Sequence, residues 1–105
     1  MNSATHTLTN IDGLVTLTVE GNVMDNATAL TPAFNAVLEC VEAAVIDIRA
    51  VTALGIGGVA LLMGVSRNKQ VALRINASQA PLMGLLRLGN EPKNGFGAWW
   101  TIVAE

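Results

Sequence analysis

Three helix-period segments alternate with short, apolar, β-branched runs along this chain, and that alternation constrains the fold more than any other feature. "DNATALTPAFNAVLECVEA" places Ala27, Leu30, Phe34, Val37, Leu38 and Val41 at three- and four-residue steps, one face of a helix. Asp25 or Asn26 can cap its start, and Pro32 fits best within its first turns or just inside a later start near Thr31. "AAVIDIRAV" reads as a central buried strand. "GVALLMGVSRNK" reads as a second helix burying Val59, Leu62 and Met63, and "QVALRI" as the next strand. "NASQAPLMGLLRLGN" reads as a third helix. Ser78 caps it, Pro81 lies in its first turn, Leu82, Leu85 and Leu86 face inward, and Gly89 ends it. "EPKNG" is a loop and "GAWWTIVAE" a final strand, in which Trp99 and Trp100 must point to opposite faces.

Ahead of this series, "THTLTNIDGLVTLTVEG" alternates Leu14, Thr16, Thr18 and Glu20 with Val15, Leu17 and Val19. That period of two, turned at Asn10–Gly13 with Asp12–Gly13 as its signal, predicts a hairpin. The order is β-β-α-β-α-β-α-β: an α/β domain with a mixed, mostly parallel sheet and an N-terminal hairpin. With 105 residues the chain is one domain, and residues 1–6 are expected to be flexible.

Composition excludes several functions. Net charge is −2, and the six Lys and Arg are scattered, so neither nucleic acid nor an anionic membrane is a favoured partner. The apolar runs fall short of a membrane span, and the polar start "MNSATHTLTN" is not a signal peptide. The single cysteine, Cys40, allows no internal disulfide, which fits a reducing, cytoplasmic location. It reads as a small core residue, because the one histidine, His6, is near the terminus and offers it no base. No metal-ligand spacing occurs, no cofactor is implied, and no enzyme is expected. Asp47, inside the buried-strand pattern, reads as a structural hydrogen-bonding group.

What remains is the glycine-rich corner "VTALGIGGVALLMG", Val51 to Gly64. Gly55-x-Gly57-x-x-Ala60 satisfies the letters of a dinucleotide-binding fingerprint. Two features oppose that reading: "RAVTA" separates the glycines from the strand, and no acid follows in "VALRINAS". No Gly-Lys-Ser/Thr follows, so it is not a P-loop. A helix start near Gly58 offers free N–H groups to an anion. Alternatively the corner is a contact surface: Gly55 and Gly57 let a partner's backbone approach, and Ile56 is an apolar anchor.

Three segments resemble the STAS domain family, the fold of anti-sigma-factor antagonists, over roughly Thr7 to Ala104. "TLTVEGNVMDNATALTPAFNAVLE" looks like the family's second strand and its "G-x-L-D-x-x-T-A" helix entry. "AAVIDIRAVTALGIGGVALLMG" looks like the "vvlDls-vtfiDSSGlgaLl" segment. "VALRINASQAPLMGLLRLGN" looks like the fourth strand and third helix, typically ended by "L-x-x-x-G-L". Their order and spacing carry the resemblance. The family's "DSSG" falls on Gly55, Ile56, Gly57 and Gly58, so the acid and both hydroxyls are absent. The resemblance implies a non-enzymatic regulator in bacterial partner switching that binds an anti-sigma factor or a serine-kinase-type protein, without phosphorylation at Ile56 or Gly57. Asp25, Asn26, Thr52, Gly55, Ile56, Gly57 and Gly58, with the helix to about Lys69, are the implied partner surface. Two other readings are an accessory STAS subunit of a membrane transport ATPase and a sensor of a nucleotide or other small molecule. A sheet edge or the tryptophan pair is a candidate homodimer surface.

Overall fold

The computed structural model describes residues 4–25, 27–89 and 98–103. Sequential strands pair in sequential order: β1 (Thr5–Ile11), β2 (Leu14–Asn22), β3 (Ala43–Ala53), β4 (Val71–Ile75) and β5 (Ala98–Ile102) form one five-stranded sheet. β1 is antiparallel to β2 and the rest are parallel, as the α/β reading predicts. The turn between β1 and β2 has positive φ at both central residues, Asp12 (53°) and Gly13 (81°), the backbone that Asp-Gly favours in a two-residue hairpin. Thr5 and His6, expected in a flexible terminus, lie in β1 opposite Glu20 and Val19, because ladder hydrogen bonds hold them.

The helices α1 (Ala27–Glu39), α2 (Gly55–Asn68) and α3 (Ala80–Leu85) connect β2 to β3, β3 to β4 and β4 to β5. Right-handed crossovers between neighbouring parallel strands put all three on the same face of the sheet. The burial pattern agrees. Leu17 and Val19, Ile46 and Ile48, and Leu73 and Ile75 form one core with Leu30, Phe34, Val37, Leu62, Val65 and Met83. Each large aliphatic side chain buried here contributes roughly 1.5–3 kcal/mol. Residues at alternate positions, among them Thr16, Thr18, Val45, Arg74 and Trp99, point to the opposite face, which no helix covers.

Several element boundaries differ from the sequence reading. α1 stops at Glu39, so Val41, expected on its inner face, is 97% exposed. Pro32 is one turn inside α1 on an exposed position; it forfeits a single main-chain bond. β3 runs five residues past Ile48 to Ala53, and α2 begins at Gly55 rather than Gly58. α2 buries Leu62 and Val65 fully, whereas Val59 and Met63 are only half-buried. The third helix is preceded by a 3-10 turn, Ala77–Gln79, and its cap is Asn76, not Ser78. Asn76 Oδ1 accepts from the Gln79 N–H, and Gln79 Oε1 accepts from the Asn76 N–H, a reciprocal capping box. Ser78 instead donates to Asn76 Oδ1. The late start rotates the helix, so Met83 is buried and Leu85 is 81% exposed. Trp99 and Trp100 occupy opposite faces as expected: Trp100 packs on the core and donates its indole N–H to Leu88 O at 3.1 Å, and Trp99 lines the open face. Asn26 and the predicted "EPKNG" loop lie outside the described residues.

Candidate functional site

The glycine corner is the first turn of α2, reached from β3 through Leu54 alone. One argument against a dinucleotide fingerprint therefore fails, since the strand does lead directly into the glycines. The other stands, and the packing adds to it. Gly55 has φ +67°, where an L side chain is strained, and a Cβ there would lie 2.6 Å from Met24 Cγ. A Cβ on Gly57 would lie 2.6 Å from Ala27 Cβ, and one on Gly58 equally close to Leu54 Cδ1. The space the absent side chains would take belongs to the protein's own η1 turn (Val23–Asp25), α1 and Leu54. The two glycines thus serve the seating of α2 against η1 and α1.

Register shifts in the β2–β3 ladder, between Thr18 and Glu20 and between Gly21 and Asn22, bend the end of β2 toward this corner. Asn22 Oδ1 accepts from the Met24 N–H at 2.9 Å and holds the η1 turn that follows. The consequence is an exposed apolar pair: Ile56 is 90% exposed and Met24 62% exposed, either side of Gly55. Thr52 is exposed at the end of β3, and Asp25 closes the η1 turn. Of the seven sequence-predicted site residues, the structure brings Thr52, Gly55, Ile56, Gly57 and Gly58 together with the η1 turn that contains Asp25. Met24 was missed. Its signal was available, since a methionine between two turn residues has no helical or strand periodicity to bury it.

Lys69, expected at the far end of the partner helix, is occupied elsewhere. Its ammonium donates to Val37 O at 3.1 Å, Cys40 O at 2.7 Å and Glu42 O at 2.9 Å, the last carbonyls of α1 and the chain beyond it. A cation at a helix C-terminus is favourably placed against the helix dipole. The Lys69 ammonium also donates to Cys40 Sγ at 2.9 Å, and the half-buried Cys40 is far in structure from a histidine general base, because His6 lies exposed in β1.

The polar chemistry concentrates on the open sheet face. Asp47 is buried, and its carboxylate accepts from the Arg49 N–H at 3.1 Å, Arg49 Nε at 3.0 Å and Arg49 Nη2 at 2.8 Å. Burial pushes the Asp47 carboxyl up, but the Arg49 hydrogen bonds and the charges of Arg49 and Arg74 outweigh it and hold the group below its ordinary value. Asp47 is thus the structural group expected from the sequence. Glu42 is also held below its ordinary value, first by the 2.8 Å hydrogen bond donated by Asn10 Nδ2.

Beside the corner, a groove of about 240 Å³ is lined by Thr52, Leu54, Gln79 and Leu82 among others. That is below the roughly 300–1,000 Å³ of ordinary small-molecule pockets. Gln79 Nε2 donates to Ile48 O at 2.7 Å, so the polar group nearest the groove serves the backbone. Among the described residues no group of three or more His, Cys, Asp or Glu could hold a metal, and no helix is long and apolar enough to cross a membrane.

No protein-family model matches the sequence, and no curated protein matches it. Among solved structures, the chain is similar to the crystal structure of an anti-sigma factor antagonist from Mycobacterium paratuberculosis, with a TM-score of 0.69 and 26% identity. The match covers 91% of this chain and 85% of that one. The fold expected from the resemblance is thus the fold observed.

Proposed function

We propose that this chain, a divergent STAS domain by its fold, acts as an anti-sigma-factor-antagonist-like regulator that binds its partner through the first turn of α2. The observation that carries the reading is the exposed pair Ile56 and Met24, presented at the position of the family's switch loop. A side chain as large as isoleucine, 90% exposed on a helix held rigidly by its glycines, suits an interface anchor. Thr52, Asp25 and Asn26 would border it, and the exposed backbone of Gly57 leaves close approach open.

The partner would be an anti-sigma factor or a serine-kinase-type protein. Phosphorylation acts by adding close to two negative charges at such a site. Neither Ile56 nor Gly57 has an oxygen to accept a phosphoryl group, so the chain would be permanently competent to bind. The test is co-purification from the native cell followed by titration. Recovery of a GHKL-type ATPase kinase or a sigma-factor system, with Ile56→Asp weakening the purified complex at least about ten-fold, supports the reading. Unchanged affinity for Ile56→Asp refutes it. Recovery of a transport ATPase instead would make the chain an accessory subunit, and tight binding of ATP in calorimetry would make it a sensor.

A further inference from the structure

Sheets built from parallel strands are almost always covered on both faces. Here the helices cover one. Two shallow depressions mark the other: one of about 360 Å³ between Leu14 and Trp99, floored by the small side chains of Ala43 and Ala72, and one of about 420 Å³ beside Asp47 and Arg49. The ladder register aligns two rows across this face. The first is Thr16, Val45, Ala72 and Trp99, and the second is Thr18, Asp47, Arg74 and Thr101.

We infer that this face binds a second copy of the chain. A two-fold axis running along the strands between β3 and β4 exchanges Val45 with Ala72 and Asp47 with Arg74, because these are the register partners on the two central strands. A closed two-fold interface must be self-complementary, residue for residue. This one is. The Asp47 carboxylate of one protomer faces the Arg74 guanidinium of its partner, twice, and the bulky Trp99 faces the small Thr16, twice. Arg74 has donors to spare for that contact: it is 43% exposed, and its Nη1 stands 3.9 Å from Asp47 Oδ2 of its own chain, too far for a hydrogen bond. A partner of one net charge would leave either Asp47 or Arg74 opposed by a like charge; a second copy pairs both.

The area is adequate. Five strands about 4.8 Å apart span roughly 24 Å, and strands of five to eleven residues run about 17–36 Å, so the face covers roughly 400–700 Å² in plan. A standard interface takes about 800 Å² of accessible surface from each partner. The face lies opposite the helices, so dimerisation leaves Ile56 and Met24 free and presents two corners per assembly.

Sedimentation equilibrium of the full chain over about 1–200 µM tests this, and a dissociation constant within that range is expected for a polar interface of this size. Arg74→Ala is expected to raise the dissociation constant about ten-fold or more, and Ile56→Asp to leave it unchanged. Should Arg74→Ala disturb the fold, seen as a lowered Tm, Thr101→Arg at an exposed position reads the same row by opposing Thr18 of the partner with a long charged side chain. A monomer at every concentration overturns the inference and gives the face to a different protein. A dimer that neither Arg74→Ala nor Thr101→Arg weakens by more than about three-fold, well under the loss of a desolvated charge pair, overturns it as well.

Discussion

Gly57→Ala should destabilise this protein, against the usual rule for helices. In an exposed helix position, replacing glycine by alanine gains about 0.8–1 kcal/mol. Gly57 is exposed to solvent and sits in the first turn of α2. But its new Cβ would fall 2.6 Å from Ala27 Cβ, where ordinary carbon contacts need roughly 3.5–4 Å. α1 and α2 would have to part by about 1 Å, and such overpacking typically costs about 1–3 kcal/mol. The balance is a net loss of about 1 kcal/mol, or roughly 4–8 °C in Tm for a chain near this size. Gly64, later in the same helix, supplies the contrast, since a Cβ there meets nothing within 4 Å. Gly64→Ala should raise stability by up to about 1 kcal/mol. Urea unfolding followed by tryptophan fluorescence reads both, and Ala27→Gly combined with Gly57→Ala should show a favourable coupling of about 0.5–3 kcal/mol. A Gly57→Ala protein as stable as the parent, or more so, would refute the claim that the glycine exists for helix packing. The same contact bears on the lost hydroxyl: serine at position 57 meets Ala27 too, whereas serine at the exposed position 56 meets no such barrier.

Three further outcomes can be checked. Lys69→Met removes the ammonium that closes the end of α1, and should cost about 2 kcal/mol in chemical denaturation; an unchanged midpoint would refute that role. The folded Asp47 carboxyl titrates below its unfolded value of about 3.9, so its contribution is full above that pH and is lost as pH falls through the folded value. Asp47→Asn should therefore be about 1–2 kcal/mol less stable at pH 7, discounted for the partly solvated Arg49, and should lack part of the parent's stability loss in acid; parallel curves in the two proteins would refute it. Ile56→Asp should leave Tm within the change expected of about ±0.5 kcal/mol for a surface substitution, and a larger fall in differential scanning calorimetry would mean that Ile56 supports the fold.

The alternation of periods made the topology legible, because a run such as "AAVIDIRAV" can satisfy its main chain only within a sheet buried on its helix face. Boundaries were less legible where local signals competed. "VTALGIGG" carries three glycines, which read as a break; the structure uses one of them in a left-handed turn and puts the other two inside a helix that is seated by their lack of side chains. In the same way Ser78 has a capping side chain, but Asn76, two residues earlier, has a better one and a Gln79 to reciprocate. Exposure was the hidden quantity at the candidate site. A sequence shows that Ile56 lies beside glycines; only the fold shows that it faces solvent and that Met24 joins it. The open face was hidden for a related reason, since sequence order alone does not show which side each crossover takes.

Charge distribution separates the two surfaces physically. From Val51 to Ser66 there is no ionisable side chain, and Ile56, Thr52 and the groove-lining Leu54 all fall within that stretch. A switch that works by phosphorylation is electrostatic; it needs basic groups in the partner to receive the new charge. A corner of this composition gains binding free energy by removing apolar surface from water, which salt does not screen. Binding through the corner should therefore change by less than about two-fold between 50 and 500 mM NaCl, a range over which the Debye length falls from about 14 Å to about 4 Å. The sheet-face dimer relies on Asp47 and Arg74 and should weaken over the same range. Titration of the partner complex and sedimentation of the isolated chain, each across that salt range, give opposite expectations for one protein. A steep salt dependence of the partner complex would show that charge outside Val51–Ser66 dominates the contact, and would refute the corner as its centre.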